Sequence, residues 1–173
     1  MDFWEVVGKR RSIRRFERDR DVPKEAVERL LEAAISAPSA GNMQPWHFFV
    51  VRKGETKLGL ARAAWGQHFV TEAPVVIVVC ADPGRSGRRY GQRGTDLYCL
   101  QDTAAATQNI LLAAVASGLG ACWVGAFDEG AAARALDLPS HLRPVAIVPI
   151  GYPAESPYRP ARRALREVTT FVE

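Results

Sequence analysis

Four arginines and a serine lie within six positions near the amino terminus, in the segment RRSIRRF at residues 10–16. Guanidinium groups bind phosphate oxygens through paired, charge-assisted hydrogen bonds, and a hydroxyl adds another donor. A solvated basic segment that follows a helix is the alternative interpretation. Because Ile13 and Phe16 interrupt the basic residues as apolar anchors, we expect the segment to lie against the core. The pattern then favours a clamp for a phosphomonoester.

A second stretch, SAPSAGNMQPWHFFVV at residues 36–51, joins small turn-forming residues to an aromatic strand. Small residues let the backbone approach a planar ring, and the Asn42 amide offers both a donor and an acceptor to the ring edge. Such a string by itself is typical of an ordinary loop. Beside a phosphate clamp, it predicts a shaped wall for a flat ligand.

Two further segments combine glycine with aromatic or basic residues. GLGACWVGAF, at residues 118–127, is by itself typical of a buried strand bounded by glycine turns. GYPAE, at residues 151–155, is followed by the basic pair Arg162 and Arg163. The four segments, in this order, resemble the RRSxRxF, SAPSxxNxQPWxF, GLGxCWxGxF and GYPxE stretches of the FMN-dependent nitroreductase family. The resemblance covers nearly the whole chain.

The resemblance implies a binding site for FMN. The first segment would reach phosphate, ribityl and pyrimidine-edge oxygens, and the second would form a wall against FMN bound mainly by the other subunit. The basic pair near the end would return to the phosphate, and Gln67 would reach the pyrimidine edge. The implied FMN-binding residues are Arg10, Arg11, Ser12, Arg14, Pro38, Ser39, Ala40, Asn42, Gln44, Gln67, Trp123, Val124, Gly125, Ala126, Arg162 and Arg163.

Two residues are implied to act in the reaction. A backbone N–H of Gly125 or Ala126 would point at flavin N5, and Arg14 near N1 and O2 would stabilise the anionic reduced flavin. Family members often carry a glutamate where this chain has Gly125, so the backbone donor is kept and a side-chain role is not. The implied reaction is ping-pong. NADPH or NADH delivers hydride, and a nitroaromatic, quinone or similar flat acceptor is then reduced.

Other activities stay open from the sequence. Reductive dehalogenation and oxygen-dependent flavin fragmentation are alternatives among flavoenzymes, and a flavin-binding protein without turnover is another. Basic residues cluster in the first twenty positions, at 85–93 and at 159–166, which suggests phosphate-bearing partners. No zinc finger, basic zipper or RNP-type strand accompanies them, so a nucleic-acid-binding module is disfavoured.

The composition predicts one globular domain spanning residues 1–173, with 47% hydrophobic and 24% charged residues and a net charge of +4. No apolar run reaches about 18 residues and the first residues do not form a signal peptide, so we expect no membrane segment and a cytoplasmic location. Three separated cysteines and three isolated histidines lack metal-ligand spacing, which argues against a metal site.

The apolar pattern predicts helices and strands without regular βαβ spacing or a GxGxxG turn. Helices are expected at residues 2–8, 23–34, 55–65, 97–117 and 128–136, and strands at residues 47–51, 75–81, 121–125 and 145–150. Residues 82–95, rich in glycine and arginine, are expected to form a mobile loop or lid. We therefore expect an α+β fold with a mixed, mainly antiparallel central sheet flanked by helices.

The end of the longest predicted helix, residues 110–116, is apolar on nearly every face. A helix of this kind must be buried on all sides, and a chain of this length offers few places for that. We expect a second subunit to cover part of it, and the resemblance implies a domain-swapped homodimer. The proline-rich tail from Gly151 is expected to extend across a surface.

Overall fold

A four-stranded antiparallel sheet forms the centre of the computed structural model, which describes residues 1–173. Its strands are β1 (Trp46–Val51), β2 (Val75–Ala81), β3 (Gly120–Ala121) and β4 (Arg143–Gly151), in the spatial order β1-β2-β4-β3. Each neighbouring pair is antiparallel. Ser12 adds a parallel bridge to Ala121 at the outer side of β3. The expected α+β fold with a mixed, mainly antiparallel sheet is confirmed.

Seven helices flank this sheet, and short helical turns occupy residues 40–42, 94–98 and 165–167. The helices are α1 (Phe3–Lys9), α2 (Lys24–Ile35), α3 (Gly54–Ala63), α4 (Phe69–Glu72), α5 (Pro83–Arg93), α6 (Cys99–Ala116) and α7 (Glu129–Leu136). At the start of α1 the Asp2 carboxylate accepts from the Glu5 amide, and the Glu5 carboxylate accepts from the Asp2 amide. This reciprocal pair satisfies two donors that a helix start leaves free. No helix has the length and hydrophobicity that crossing a bilayer requires.

Strand β2 lies at the centre of the core, and all seven of its residues are buried. Val76, Val78 and Cys80 belong to the apolar cluster that includes α3 and α7 residues. The alternate residues, such as Ile77, belong to the cluster formed with α2 and α6. Because both faces of the strand are covered, its sequence is continuously apolar instead of alternating.

The prediction of a loop at residues 82–95 was wrong, because most of this segment is helix α5. The Asp82 carboxylate accepts from the Arg85 amide at 3.0 Å, and Pro83 occupies the first turn, so the helix has an ordinary start. Glycines lower helix propensity and hid this start. Gly91, with φ 56° and ψ −141°, kinks the helix near its end. The expected strand at 121–125 is also shorter: after Ala121, the Cys122 amide donates to the Pro149 carbonyl and Val124 forms an isolated bridge with Ile147.

The strand order separates the two predicted binding segments. The loop that contains residues 38–44 leads into β1, which forms one edge of the sheet. The arginine segment runs along the opposite edge, where the Ile13 amide donates to the Ala121 carbonyl at 3.0 Å. Two strands therefore lie between β1 and the strand that the arginine segment joins.

Gly120 allows the arginine segment to approach β3, and we expect Gly120→Ala to weaken that docking. A Cβ atom there would lie 2.8 Å from two side-chain atoms of Ile13, a contact that requires the Ile13 side chain or the backbone to shift. The free energy of unfolding should fall by about 1–3 kcal/mol. Gly8→Ala is the matched control, because its Cβ would meet nothing within 4 Å. In the last turn of α1 it should raise stability by up to about 1 kcal/mol. Urea unfolding measures both, and equal stability of the two variants would contradict the docking role.

Candidate functional site

The arginine segment, residues 10–16, is held in an extended conformation by its apolar residues and its backbone. Ile13 and Phe16 are buried, as the sequence predicts. The Arg15 carbonyl accepts from the Ala154 amide at 2.9 Å. The Glu155 carboxylate accepts from the amides of Arg14 and Arg15 at 2.5 and 3.1 Å. The side chain of Arg14 is thereby left on the exposed side, opposite the buried anchors.

These contacts create a cavity of about 180 Å³. Its lining consists of Arg10, Arg11, Ser12, Arg14, Pro157, Tyr158, Pro160 and Arg162. Four of these residues are arginines and none is acidic, so the lining is strongly positive. None of the four arginines forms a salt bridge within the chain. We name this feature the arginine cavity.

The carboxy-terminal tail closes one side of the arginine cavity, and it treats the two candidate arginines differently. Arg162 lines the cavity, and its guanidinium also donates to the Pro160 carbonyl at 3.2 Å. Arg163 instead lies 3.6 Å from the Glu167 carboxylate and donates to the Glu167 carbonyl at 2.9 Å. The structure therefore brings Arg162 to the amino-terminal arginines and does not bring Arg163 there.

Arg14 connects the arginine cavity to a second group of predicted site residues. Its guanidinium lies 5.9 Å from the centre of the Phe69 ring. Gln67, two residues earlier, donates from its side chain to the carbonyls of Ala64 at 3.1 Å and Ala126 at 3.4 Å. Sequence reasoning missed Phe69, for which only its closeness to Gln67 in the chain was a signal.

The segment from Trp123 to Ala126 presents three free backbone donors, the amides of Trp123, Gly125 and Ala126. Val124 is buried, and both its N–H and its carbonyl pair with Ile147, at 2.9 and 3.0 Å. Gly125 and Ala126 are exposed, and neither amide donates a hydrogen bond within the chain. Trp123 is 38% exposed beside them. Since the Val124 amide is committed to the sheet, the amides of Gly125 and Ala126, like that of Trp123, are free to donate to a ligand acceptor.

Residues 38–44 form a loop with left-handed backbone at three positions, which we name the wall loop. Gly41, Asn42 and Gln44 have φ values of 55°, 56° and 50°. The Ser39 hydroxyl accepts from the Gln44 amide at 3.0 Å, and the Gln44 side chain donates to the Asn42 side-chain oxygen at 3.1 Å. These internal bonds help hold a conformation that non-glycine residues rarely adopt.

Helix α5 supports the wall loop from outside. Arg89 donates to the Gly41 carbonyl at 3.2 Å, and the Nε of Arg85 donates to the Met43 carbonyl. A Cβ atom on Gly41 would lie 2.3 Å from the Tyr90 hydroxyl oxygen, so the Tyr90 side chain would have to move, and the left-handed backbone adds strain for any other residue. No hydrogen bond or salt bridge joins the wall loop to the arginine segment. The structure thus brings the predicted arginines and Ser12, except Arg163, to the arginine cavity, with Gln67 and Ala126 nearby. It leaves the wall loop apart from these residues.

Asp102 on α6 holds the start of the wall loop, and sequence reasoning missed it. Its side chain is buried, one carboxylate oxygen accepts from the Ala40 amide at 3.1 Å, and the other oxygen has no partner. Burial raises the pKa of the Asp102 carboxyl, while the Ala40 amide opposes that change. A carboxylate at a helix position that faces the core was the only available signal.

Asp102 should therefore make stability depend on pH. Because its pKa is raised in the folded state, its favourable contribution is present below its unfolded pKa and is lost as the pH rises through the raised value. Asp102→Asn keeps an acceptor for Ala40 and removes the ionisation. We expect its free energy of unfolding to exceed that of the native chain by on the order of 1 kcal/mol at about pH 8 and to differ little from it at about pH 4.

Asp102→Ala is the matched control for this effect, because it removes both the charge and the acceptor. Its free energy of unfolding should be about 1–3 kcal/mol lower than that of the native chain at both pH values, since the Ala40 amide is left without its partner. Urea unfolding of the protein without added ligand measures all three chains. Identical pH profiles for native and Asp102→Asn proteins would contradict the assignment.

Comparisons with known proteins find similarity over most of the chain. The model of the nitroreductase family matches residues 7–68 and 61–152. An NADH dehydrogenase of Thermus thermophilus is 38% identical over 190 residues, which cover 94% of this chain and 92% of that protein. The crystal structure of a nitroreductase family protein from Clostridium novyi NT, 34% identical, has a TM-score of 0.81 and covers 92% of this chain and 89% of its own. The crystal structure of a nitroreductase family protein from Streptococcus pneumoniae TIGR4 is 25% identical and has a TM-score of 0.88. The match covers 99% of this chain and 100% of that chain. The chain belongs to the nitroreductase family of NAD(P)H oxidoreductases.

Proposed function

We propose that this protein binds FMN, takes hydride from NADH or NADPH, and reduces flat acceptors such as nitroaromatics or quinones. The observation that carries the proposal is the arginine cavity, which lies beside the face that presents Arg14 and connects through Phe69 and Gln67 to the free amides of Gly125 and Ala126. Bound FMN would supply the redox chemistry by accepting two electrons from the donor and passing them to the acceptor.

The residues of the arginine cavity fit a phosphomonoester. Such a group carries nearly two negative charges, and the lining offers four guanidinium groups and the Ser12 hydroxyl without a competing carboxylate. The Glu155 carboxylate contacts the backbone of the arginine segment, where it accepts from the amides of Arg14 and Arg15 and does not line the cavity. The phosphate of FMN would therefore enter a lining of one sign.

The roles of the other residues follow from their free groups. The exposed guanidinium of Arg14 offers positive charge to a ring that gains electrons, which stabilises the reduced state. The amides of Gly125 and Ala126 offer donors to a ring nitrogen, because no group of the chain accepts from them. No side-chain acid or base is required from this chain at that position, where Gly125 has no side chain.

The wall loop would complete the site from a second copy of the chain. Within one chain it lies at the sheet edge opposite the arginine segment. The chain also leaves apolar surface open: Phe3, Val6, Leu112, Ala113 and Ala116 line a groove of about 280 Å³. In the tail, Leu165, Phe171 and Val172 are 73%, 82% and 93% exposed. Such surfaces mark contacts with another protein, and we infer a homodimer.

Removing two guanidinium groups should weaken FMN binding. Each charge-assisted bond to phosphate contributes about 1.5–3 kcal/mol, so Arg10→Ala with Arg14→Ala should raise the Kd for FMN by about 100-fold or more. Quenching of FMN fluorescence on titration measures the Kd. The double variant Arg15→Ala with Arg18→Ala is the matched control, because it removes the same charge from nearby positions that do not line the cavity. An equal loss of FMN affinity in both double variants would show that the effect comes from overall positive charge and not from the cavity.

Bleaching of the flavin absorbance tests the reaction itself. The yellow native protein should lose its flavin absorbance when NADH or NADPH is added without oxygen, and a quinone or nitroaromatic should restore it. A yellow protein that neither donor bleaches would instead be a flavin carrier. A colourless protein that takes up no FMN and shifts an oligonucleotide would be a nucleic-acid-binding module.

Mixing two defective chains tests the shared site. Arg10→Ala with Arg14→Ala damages the arginine cavity, and Gly41→Ala damages the wall loop, because its Cβ would displace the Tyr90 and Arg89 side chains and would strain the left-handed backbone. Each homodimer should be inactive. In heterodimers formed by coexpression, one site collects both lesions and the other none, so about a quarter of all sites should be restored.

The mixed protein would stay inactive if each site were built from a single chain. Coexpressed subunits with different affinity tags isolate the heterodimer and show that subunits were exchanged. Circular dichroism of each homodimer shows that the lesions leave the fold intact.

A further inference from the structure

Helix α5 carries a basic surface that the proposed reaction has not used. Arg85, Arg88 and Arg89 are spaced at i, i+3 and i+4, so they share one face of the helix. All three are exposed, and none lies within salt-bridge distance of a carboxylate. Elsewhere in the chain basic residues do pair, as Arg143 does with Glu129 and Arg52 with Asp21. We name these three arginines the α5 arginine face.

The α5 arginine face is anchored to the wall loop. Arg85 and Arg89 each use one guanidinium N–H on a loop carbonyl, at Met43 and Gly41, and keep their other N–H groups free. Arg88, between them on the helix, has no hydrogen-bond partner in the chain. Anchored guanidinium groups lose less conformational entropy when a ligand binds than mobile ones.

The neighbouring carboxylates do not neutralise this face. Asp82 accepts from the Arg85 amide as the helix cap. Asp96 accepts from the side chains of Gln92 and Thr95. Tyr90 and Tyr98 pack edge to face, with ring centres 5.1 Å apart, so they do not form an open stacking platform for nucleic-acid bases. The face is suited to a small anionic group.

We propose that the α5 arginine face binds the phosphate groups of the dinucleotide hydride donor. The inference rests on the proposed function, in which the wall loop lies against FMN. A donor whose nicotinamide meets the flavin must extend its remaining length across the adjoining surface, and α5 is fixed to the wall loop. NADH and NADPH both carry a pyrophosphate, and NADPH carries a further phosphate at the ribose 2′ position. Guanidinium groups recognise either kind.

Arg88 is the residue to change, because it supports neither the loop nor the helix through a hydrogen bond. Arg88→Glu should raise the KM for NADH, NADPH or both by about 10-fold or more, a loss of about 1.4 kcal/mol, with kcat altered much less. Arg88→Lys should keep most of the affinity. The KM for 1-benzyl-1,4-dihydronicotinamide, an uncharged donor without phosphate, should change by less than about twofold.

The pattern across donors identifies the phosphate. If Arg88→Glu raises the KM for both dinucleotides, Arg88 contacts the pyrophosphate. If it raises the KM for NADPH alone, Arg88 contacts the 2′-phosphate. Either result supports the proposal. An unchanged KM for both dinucleotides, or an equal increase for the uncharged donor, overturns it. Arg29→Glu is the matched control, since Arg29 on α2 is also exposed and unpaired.

A binding measurement separates this inference from the proposed function. Calorimetric titration of the FMN-loaded protein with ADP-ribose and with adenosine 2′,5′-bisphosphate reports phosphate binding without turnover. Arg88→Glu should raise the Kd of at least one of these two analogues by about 10-fold. If the native protein binds FMN and is bleached by NADH or NADPH, but neither analogue responds to Arg88→Glu, the inference fails and the proposed function stands. A native protein that takes up no FMN overturns both.

Discussion

The backbone hydrogen bond between Ile13 and Ala121 is the contact on which the arginine cavity depends. A run of like charges repels itself and gains from staying solvated, so it does not order without an anchor. Ile13 and Phe16 supply that anchor by burying apolar surface against Gly120 and Gly151, where no Cβ atom intervenes. Glu155 then fixes the backbone between them through two amides. Arg10, Arg11 and Arg14 are thereby held where, with Arg162, they line one cavity.

The wall loop and α5 depend on each other in a similar way. Left-handed backbone at Asn42 and Gln44 costs on the order of 1 kcal/mol for each residue and persists only where the surroundings hold it. The arginines of α5 and the buried carboxylate of Asp102 provide that hold. The same hydrogen bonds to the loop carbonyls also stabilise α5, whose glycines lower its intrinsic helix propensity. The two elements form one rigid unit, and a ligand that touches one of them is positioned by both.

The order of the strands decides how these two units can meet. Neighbouring strands lie about 4.8 Å apart, so β1 and the far edge of the sheet are separated by about 14 Å before any side chain is counted. Within one chain the wall loop and the arginine cavity therefore lie at opposite edges of the sheet. In the proposed homodimer, each copy would offer its wall loop where the other offers its arginine cavity. The open apolar groove and the exposed apolar tail are consistent with such an assembly.

The sequence by itself determined the class of fold, the apolar centre of the sheet and the strong positive charge of the amino-terminal segment. Local composition carries that information: β2 is continuously apolar because both its faces are covered, and the positive charge of residues 10–14 is a property of their side chains. The start of α5 was also readable from Asp82 and Pro83, although the glycines that follow concealed it. Only the tertiary structure decided that Arg162 joins the arginine cavity while Arg163 turns to Glu167. It alone showed that the Val124 amide is consumed by the sheet and that Asp102 supports the wall loop. Which side chains converge depends on strand order and on pairing across long stretches of chain, and neighbouring residues in a sequence do not encode either one.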